Sequence, residues 1–188
     1  MSAGTPIAAR SRHDHVGEGR TLYRLTKLPF WLMQMIGELE VLNDREGAVV
    51  AGWVANGIFY AQFVEYLTGP LGMRFASRFE QHLLINSGPV SLYADCASLD
   101  SYDLTARDAW TRVMVSQRRL LAPSLFLART RLVELGLRAI AAMLRPGLIE
   151  VVTSQSEFVA RLDKAAPDAW RALRNPRAWV PAKNSFFP

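Results

Sequence analysis

The chain has 188 residues, half of them apolar and about a fifth charged, the profile of one globular domain with tails and not of a disordered polymer. No apolar stretch reaches the roughly 18 residues of a membrane span; the longest candidate, Leu28 to Ile36, is broken by Pro29. The net charge of +5 raises nucleic acid or an anionic membrane surface as a partner. The excess lies at the two ends, in Arg10, Arg12, Arg20, Arg24 and Lys27 and again in Arg171, Arg174, Arg177 and Lys183, with no aromatic-basic interleaving. Nucleic-acid binding is therefore not expected.

Residues 1–20 are small, polar and charged without periodicity and read as a disordered tail. They lack the apolar centre of a secretory signal. With Cys96 as the single cysteine, which excludes an internal disulfide and fits a reducing compartment, a cytoplasmic protein is expected. His13-Asp14-His15 has no partner cluster elsewhere, so no metal site is expected. Residues 21–36 are ambiguous between helix and strand.

Glu38 to Leu42 and Ala48 to Val54 are short β-like runs joined by the polar turn Asn43-Asp44-Arg45-Glu46-Gly47, a hairpin. Asn56 is a suitable cap for a helix carrying Phe59, Phe63, Tyr66 and Leu67. Gly69-Pro70 interrupts it, and Leu71 to Ile85 forms a second helix with Phe75, Phe79 and Leu83 four residues apart. A turn over Asn86-Ser87-Gly88-Pro89 precedes the apolar run Val90 to Ala94, a buried strand. That run stops at Asp95 and passes through polar residues, and Ala106, Ala109, Trp110, Val113 and Met114 resume it as one face of a helix. Ser124 to Ala128 is a strand, Leu132 to Leu144 a helix ended by Pro146-Gly147, and Leu148 to Val152 a last strand. Ser154 and Glu157 form a capping-box signature before a helix with Phe158 and Leu162. Beyond it, Trp170, Trp179, Phe186 and Phe187 suggest an extension packing back on the domain.

The fold expected is α/β: a mixed, mostly parallel sheet of four to five strands with flanking helices, in the order β-β-α-β-α-β-α-β-α. The domain is expected over 21–165, with the extension over 166–188. In such sheets working groups gather at the carboxyl ends of the strands, which points to the carboxylates Asp95, Asp100 and Asp103. Asp103 is also a natural helix N-cap, and Thr105 with Asp108 makes a further capping box. Cys96 has no histidine placed to activate it, and neither a phosphate-binding glycine loop nor a magnesium-holding acidic pair is present. No cofactor is expected and the chain reads as a non-enzyme.

This order of elements resembles the STAS domain, the fold of anti-sigma-factor antagonists and sulfate-transporter tails. The family has a strand ending in Asp and then Asp-Ser-Ser-Gly at the next helix start. Here Leu92-Tyr93-Ala94-Asp95 ends the strand and Asp100-Ser101-Tyr102-Asp103 stands at the helix start. In the family a partner kinase phosphorylates the second serine. This chain has Tyr102 there and Asp103 in place of Gly, so Ser101, matching the first serine, is the candidate phosphorylation site. A phosphate on it would gain from the helix N-terminus and be repelled by Asp100 and Asp103. The resemblance implies a non-catalytic signalling or scaffold module that binds a protein partner, a regulator or kinase, through Asp95, Asp100, Ser101, Tyr102, Asp103 and Arg107, with Arg112 and Arg118 on the same helix. The alternative is a small-ligand or lipid-binding domain with a pocket lined by aromatic residues between Phe59 and Phe79.

Overall fold

The computed structural model describes residues 39–167. Their elements run β1 (Glu40–Asn43), β2 (Gly47–Ala55), β3 (Ile58–Leu67), α1 (Gly69–Ile85), β4 (Ser91–Tyr102), α2 (Leu104–Ser116), β5 (Ser124–Ala128), α3 (Arg131–Ala142), β6 (Ile149–Val152) and α4 (Gln155–Ala165). The tail expected over 1–20, the segment 21–36, the His13-Asp14-His15 motif and nearly all of the extension expected over 166–188 lie outside the described residues.

Six strands stand side by side in chain order, β1-β2-β3-β4-β5-β6. The first three pair antiparallel and β3 to β6 pair parallel. The sheet is thus mixed and mostly parallel with flanking helices, as the sequence indicates, but it has one strand more than expected. Each parallel step needs a crossover, and right-handed crossovers taken in one direction put their helices on one face. Accordingly α1, α2 and α3 share a core with Phe59, Ala61, Phe63, Leu92, Ala94, Cys96 and Phe126. Helix α4 follows the last strand and is free of that rule. It covers the opposite face, where Phe158 and Leu162 pack on Tyr60, Leu125 and Leu127.

The added strand is β3, where a helix was expected. Phe59 and Phe63 are four apart, a spacing that satisfies the helical period and the strand period of two alike. Neighbours decide between them: Phe59, Ala61 and Phe63 enter the helix-covered core, while Tyr60 enters the other. Asn56 therefore caps no helix. It sits with Gly57 in a tight turn between Ala55 and Ile58, and Gly57 supplies the positive φ of +71° that the turn requires. The hairpin of β1 and β2 is as expected. Asp44 Oδ1 accepts from the N–H groups of Glu46 and Gly47 and fixes its turn.

Candidate functional site

The segment after Ala94 is not a loop. β4 continues through Asp95, Cys96, Ser98 and Asp100 to Tyr102. Along β3 the pairing runs from Ile58 opposite Ser91 to Leu67 opposite Tyr102, and the register shifts between Gln62 and Val64 and between Glu65 and Tyr66. At each shift β4 carries one residue more than its partner, the signature of a bulge. A bulge breaks the two-residue alternation, so Cys96, Leu99 and Tyr102, three apart, all face the helix layer. Beside the second bulge Glu65 takes a positive φ of 63°. Across from it Gly47 leaves no room for a side chain, since a Cβ there would lie 2.1 Å from the Tyr66 carbonyl oxygen.

These bulges scatter the residues that the sequence groups. Asp95 points to the α4 side, buried at 6 % exposure. Its Oδ1 accepts from Ala97 N at 2.9 Å, serving the first bulge, and the Tyr60 hydroxyl donates to Oδ2 at 3.4 Å. Burial raises its pKa, against the pull of those two donors. Burial, then the nearby Asp95 charge, raises the Tyr60 hydroxyl as well. Asp95 is thus a structural group beneath the sheet surface, separated from Asp100 to Arg107, and this corrects its assignment to a partner-binding loop. Asp100 is exposed, and Ser101, Tyr102 and Asp103 are half-buried.

Asp103 holds the N-cap position of α2 but makes no side-chain cap. Its Oδ1 accepts from the Tyr66 hydroxyl at 2.6 Å and its Oδ2 from Gly69 N at 2.6 Å. Those two donors, the tyrosine first, hold its carboxyl below the usual value. The aspartate thus ties the end of β3 and the start of α1 to the start of α2. Thr68 completes the corner by capping Leu71 N and donating to Asp44 Oδ2. The further capping box is absent: Asp108 pairs with Arg107 at 3.2 Å and Thr105 lies inside α2. Ser154 does cap Glu157 N, but Glu157 turns to Arg161 and does not complete the box.

The structure does bring together Tyr102 and Arg107. Both line a cleft between α2 and α3, closed below by Phe63, Phe75, Cys96, Leu99, Trp110 and Phe126. α1 and α2 pack closely, with Gly72 against Ala106, and α3 stands off on the sheet beyond them, which leaves this gap. Tyr102 crosses it to reach α3, where a Cβ on Gly136 would lie 2.2 Å from the tyrosine Oη; the hydroxyl is 3.5 Å from Leu132 O. The aromatic pocket weighed from sequence is therefore displaced: Phe63 and Phe75 line it, whereas Phe59 and Phe79 pack against each other at a tilt inside the core. Trp110, Leu99, Gly136 and Leu137 are lining residues that sequence reading did not assign to a site.

Burial pushes the Cys96 thiol far up, away from a thiolate. Among the described residues no group of three or more His, Cys, Asp or Glu is placed to hold a metal ion, and no helix is long and apolar enough to cross a membrane. No family model and no curated protein matches the chain. Among solved structures it is similar to an uncharacterized protein from the DUF3478 family, from Shewanella loihica PV-4, described as having a SpoIIAA-like fold. The TM-score is 0.46 and the identity 13%, over 66% of this chain and 92% of that chain.

Proposed function

We propose that this chain is a non-catalytic signalling or scaffold module that binds a protein partner at the carboxyl end of β4. The observation that carries the reading is the group of large apolar side chains exposed there: Leu104 at 65 %, Leu132 at 53 % and Leu135 at 58 %. Leu104 opens α2 two residues after Tyr102, and the Tyr102 hydroxyl beside Leu132 O places the first turn of α3 at the same end of the sheet. Exposed apolar groups rimmed by polar ones mark contact surfaces. Asp100, Ser101 and Arg107 supply the rim, with Ser101 the candidate phosphorylation site. The dispersal of the three carboxylates, with Asp95 buried on the opposite face and Asp103 committed to bracing a corner, also favours a surface over an acid-base site.

The test is cross-linked capture by the full-length protein, comparing it with Leu132→Asp/Leu135→Asp and with Asp100→Ala/Ser101→Ala. Both pairs are exposed or half-buried, so circular dichroism should be unchanged. The expected outcome is a partner whose affinity falls at least tenfold in the leucine variant, the scale of a contact hot spot. An identical captured set from all three proteins would refute the reading.

A further inference from the structure

The cleft has the features of a ligand site beside the proposed partner surface, with Arg107 at the border of the two. Among its lining residues only Leu67, Tyr102, Arg107 and Gly136 are not buried, so its mouth is where these meet. Its volume is about 60 Å³; a water needs about 10–15 Å³, so the space suits roughly four to six heavy atoms, a short apolar chain whose head group stays at the mouth. The walls are aromatic and aliphatic, and Arg107 is the single charged group among them. The guanidinium points its Nε and Nη2 at one oxygen of Asp108, at 3.3 and 3.2 Å. That pair is solvent-exposed on both sides, a kind that contributes little and is readily exchanged. Nη1 is not engaged by it and retains its donors, and a guanidinium fork matches a carboxylate.

We infer that the cleft binds a small amphiphilic anion, a carboxylate carried on a short apolar chain, with the chain against Trp110, Leu99 and Phe63 and the carboxylate on Arg107. Tyr102 flanks the mouth, and its hydroxyl, which donates to Leu132 O over a long 3.5 Å, can turn that one proton to the carboxylate instead. The inference does not rest on the partner reading, because none of Leu104, Leu132 or Leu135 lines the cleft.

The experiment titrates the full-length protein with hexanoate, n-hexanol and n-hexylamine by calorimetry, and with 5-bromopentanoate as a contact quencher of tryptophan fluorescence. Hexanoate should bind about fivefold tighter than hexanol, as one exposed charge-assisted contact supplies, with hexylamine the weakest. Arg107→Gln should bring hexanoate down to the affinity of hexanol and leave hexanol unchanged. Quenching by 5-bromopentanoate should vanish in Trp110→Phe, and hexanoate should shift the methyl resonances of Leu99 and Val133 in the wild type, which locates the site without any substitution. No saturable binding, equal affinities for the acid and the alcohol, or methyl shifts elsewhere than the cleft would each overturn the inference. None of these results bears on capture of a partner through Leu132 and Leu135.

Discussion

Trp53 on β2 donates from Nε1 to Nδ1 of His82 on α1 at 3.2 Å, and the imidazole lies against the rings of Phe59 and Trp53. The bond requires Nδ1 without a proton. Burial lowers the His82 pKa; Glu40 opposes this and Arg78, paired with Glu40 at 3.1 Å, adds to it. A histidine with a depressed folded pKa leaves the unfolded chain holding more protons, so stability rises with pH across the interval. The contribution is complete above the unfolded value near 6.5 and is lost as pH falls through the folded value. Urea midpoints measured from pH 7.5 to 5.5 should therefore decline in the wild type and stay flat in His82→Gln. Parallel slopes in the two proteins would show that another group titrates. The sequence displays His82 beside an aromatic face. What it cannot display is Trp53, which meets the histidine only because β2 lies under α1.

At the scale of elements, α1 and α2 approach so closely that a Cβ on Gly72 would lie 2.3 Å from Ala106 Cβ and 2.8 Å from its Cα. Gly72→Ala adds helix propensity worth about 1 kcal/mol, but a rigid backbone stands in the way and overpacking costs about 1–3 kcal/mol. The clash should win, giving net destabilisation by chemical denaturation; a gain of about 1 kcal/mol would mean that the helices can part freely. The amphipathic helices α1, α2, α3 and α4 and the apolar strands β5 and β6 were legible because a single period and clear stops mark them. β3 is not legible as a strand because Phe59 and Phe63 fit two periods, and Asn56, which suits a helix cap, belongs with Gly57 to a hairpin signal. β4 was cut short at Asp95 for a different reason. Its two bulges convert alternation into the three-residue step of Cys96, Leu99 and Tyr102, which resembles neither period. The same irregularity hid the cleft, since Cys96 and Leu99 lie at its base and Tyr102 at its mouth.

At the scale of the whole chain, charge divides unevenly between the described residues and the two ends of the sequence. Residues 39–167 carry 13 Lys or Arg and 13 Asp or Glu, so the whole of the +5 excess lies outside them. The sheet and its helices thus carry no net charge with which to attract a polyanion at long range. Within this fold, rigidity should follow position in the sheet. β3, β4 and β5 are interior strands, whereas β1 and β6 stand at the edges. Helices cover both faces of the interior at Leu92 and Leu125. Amides that open only on global unfolding should therefore lie in Phe59 to Phe63 and Leu92 to Asp95, with β1 exchanging early. The bulges add a sharper expectation: at Cys96-Ala97 and again near Asp100 the ladder to β3 loses register, and at the first of them Ala97 N–H is held by the Asp95 side chain in place of the ladder. Protection along β4 should drop between Asp95 and Asp100 even though both lie in one continuous strand. Hydrogen exchange resolved by residue reads this directly. A uniform profile from Leu92 to Tyr102 would mean that the bulged half is as rigid as the rest. A step at the bulges would mean that the carboxyl end of β4, which carries Tyr102 across the mouth of the cleft, moves independently of the core that anchors it.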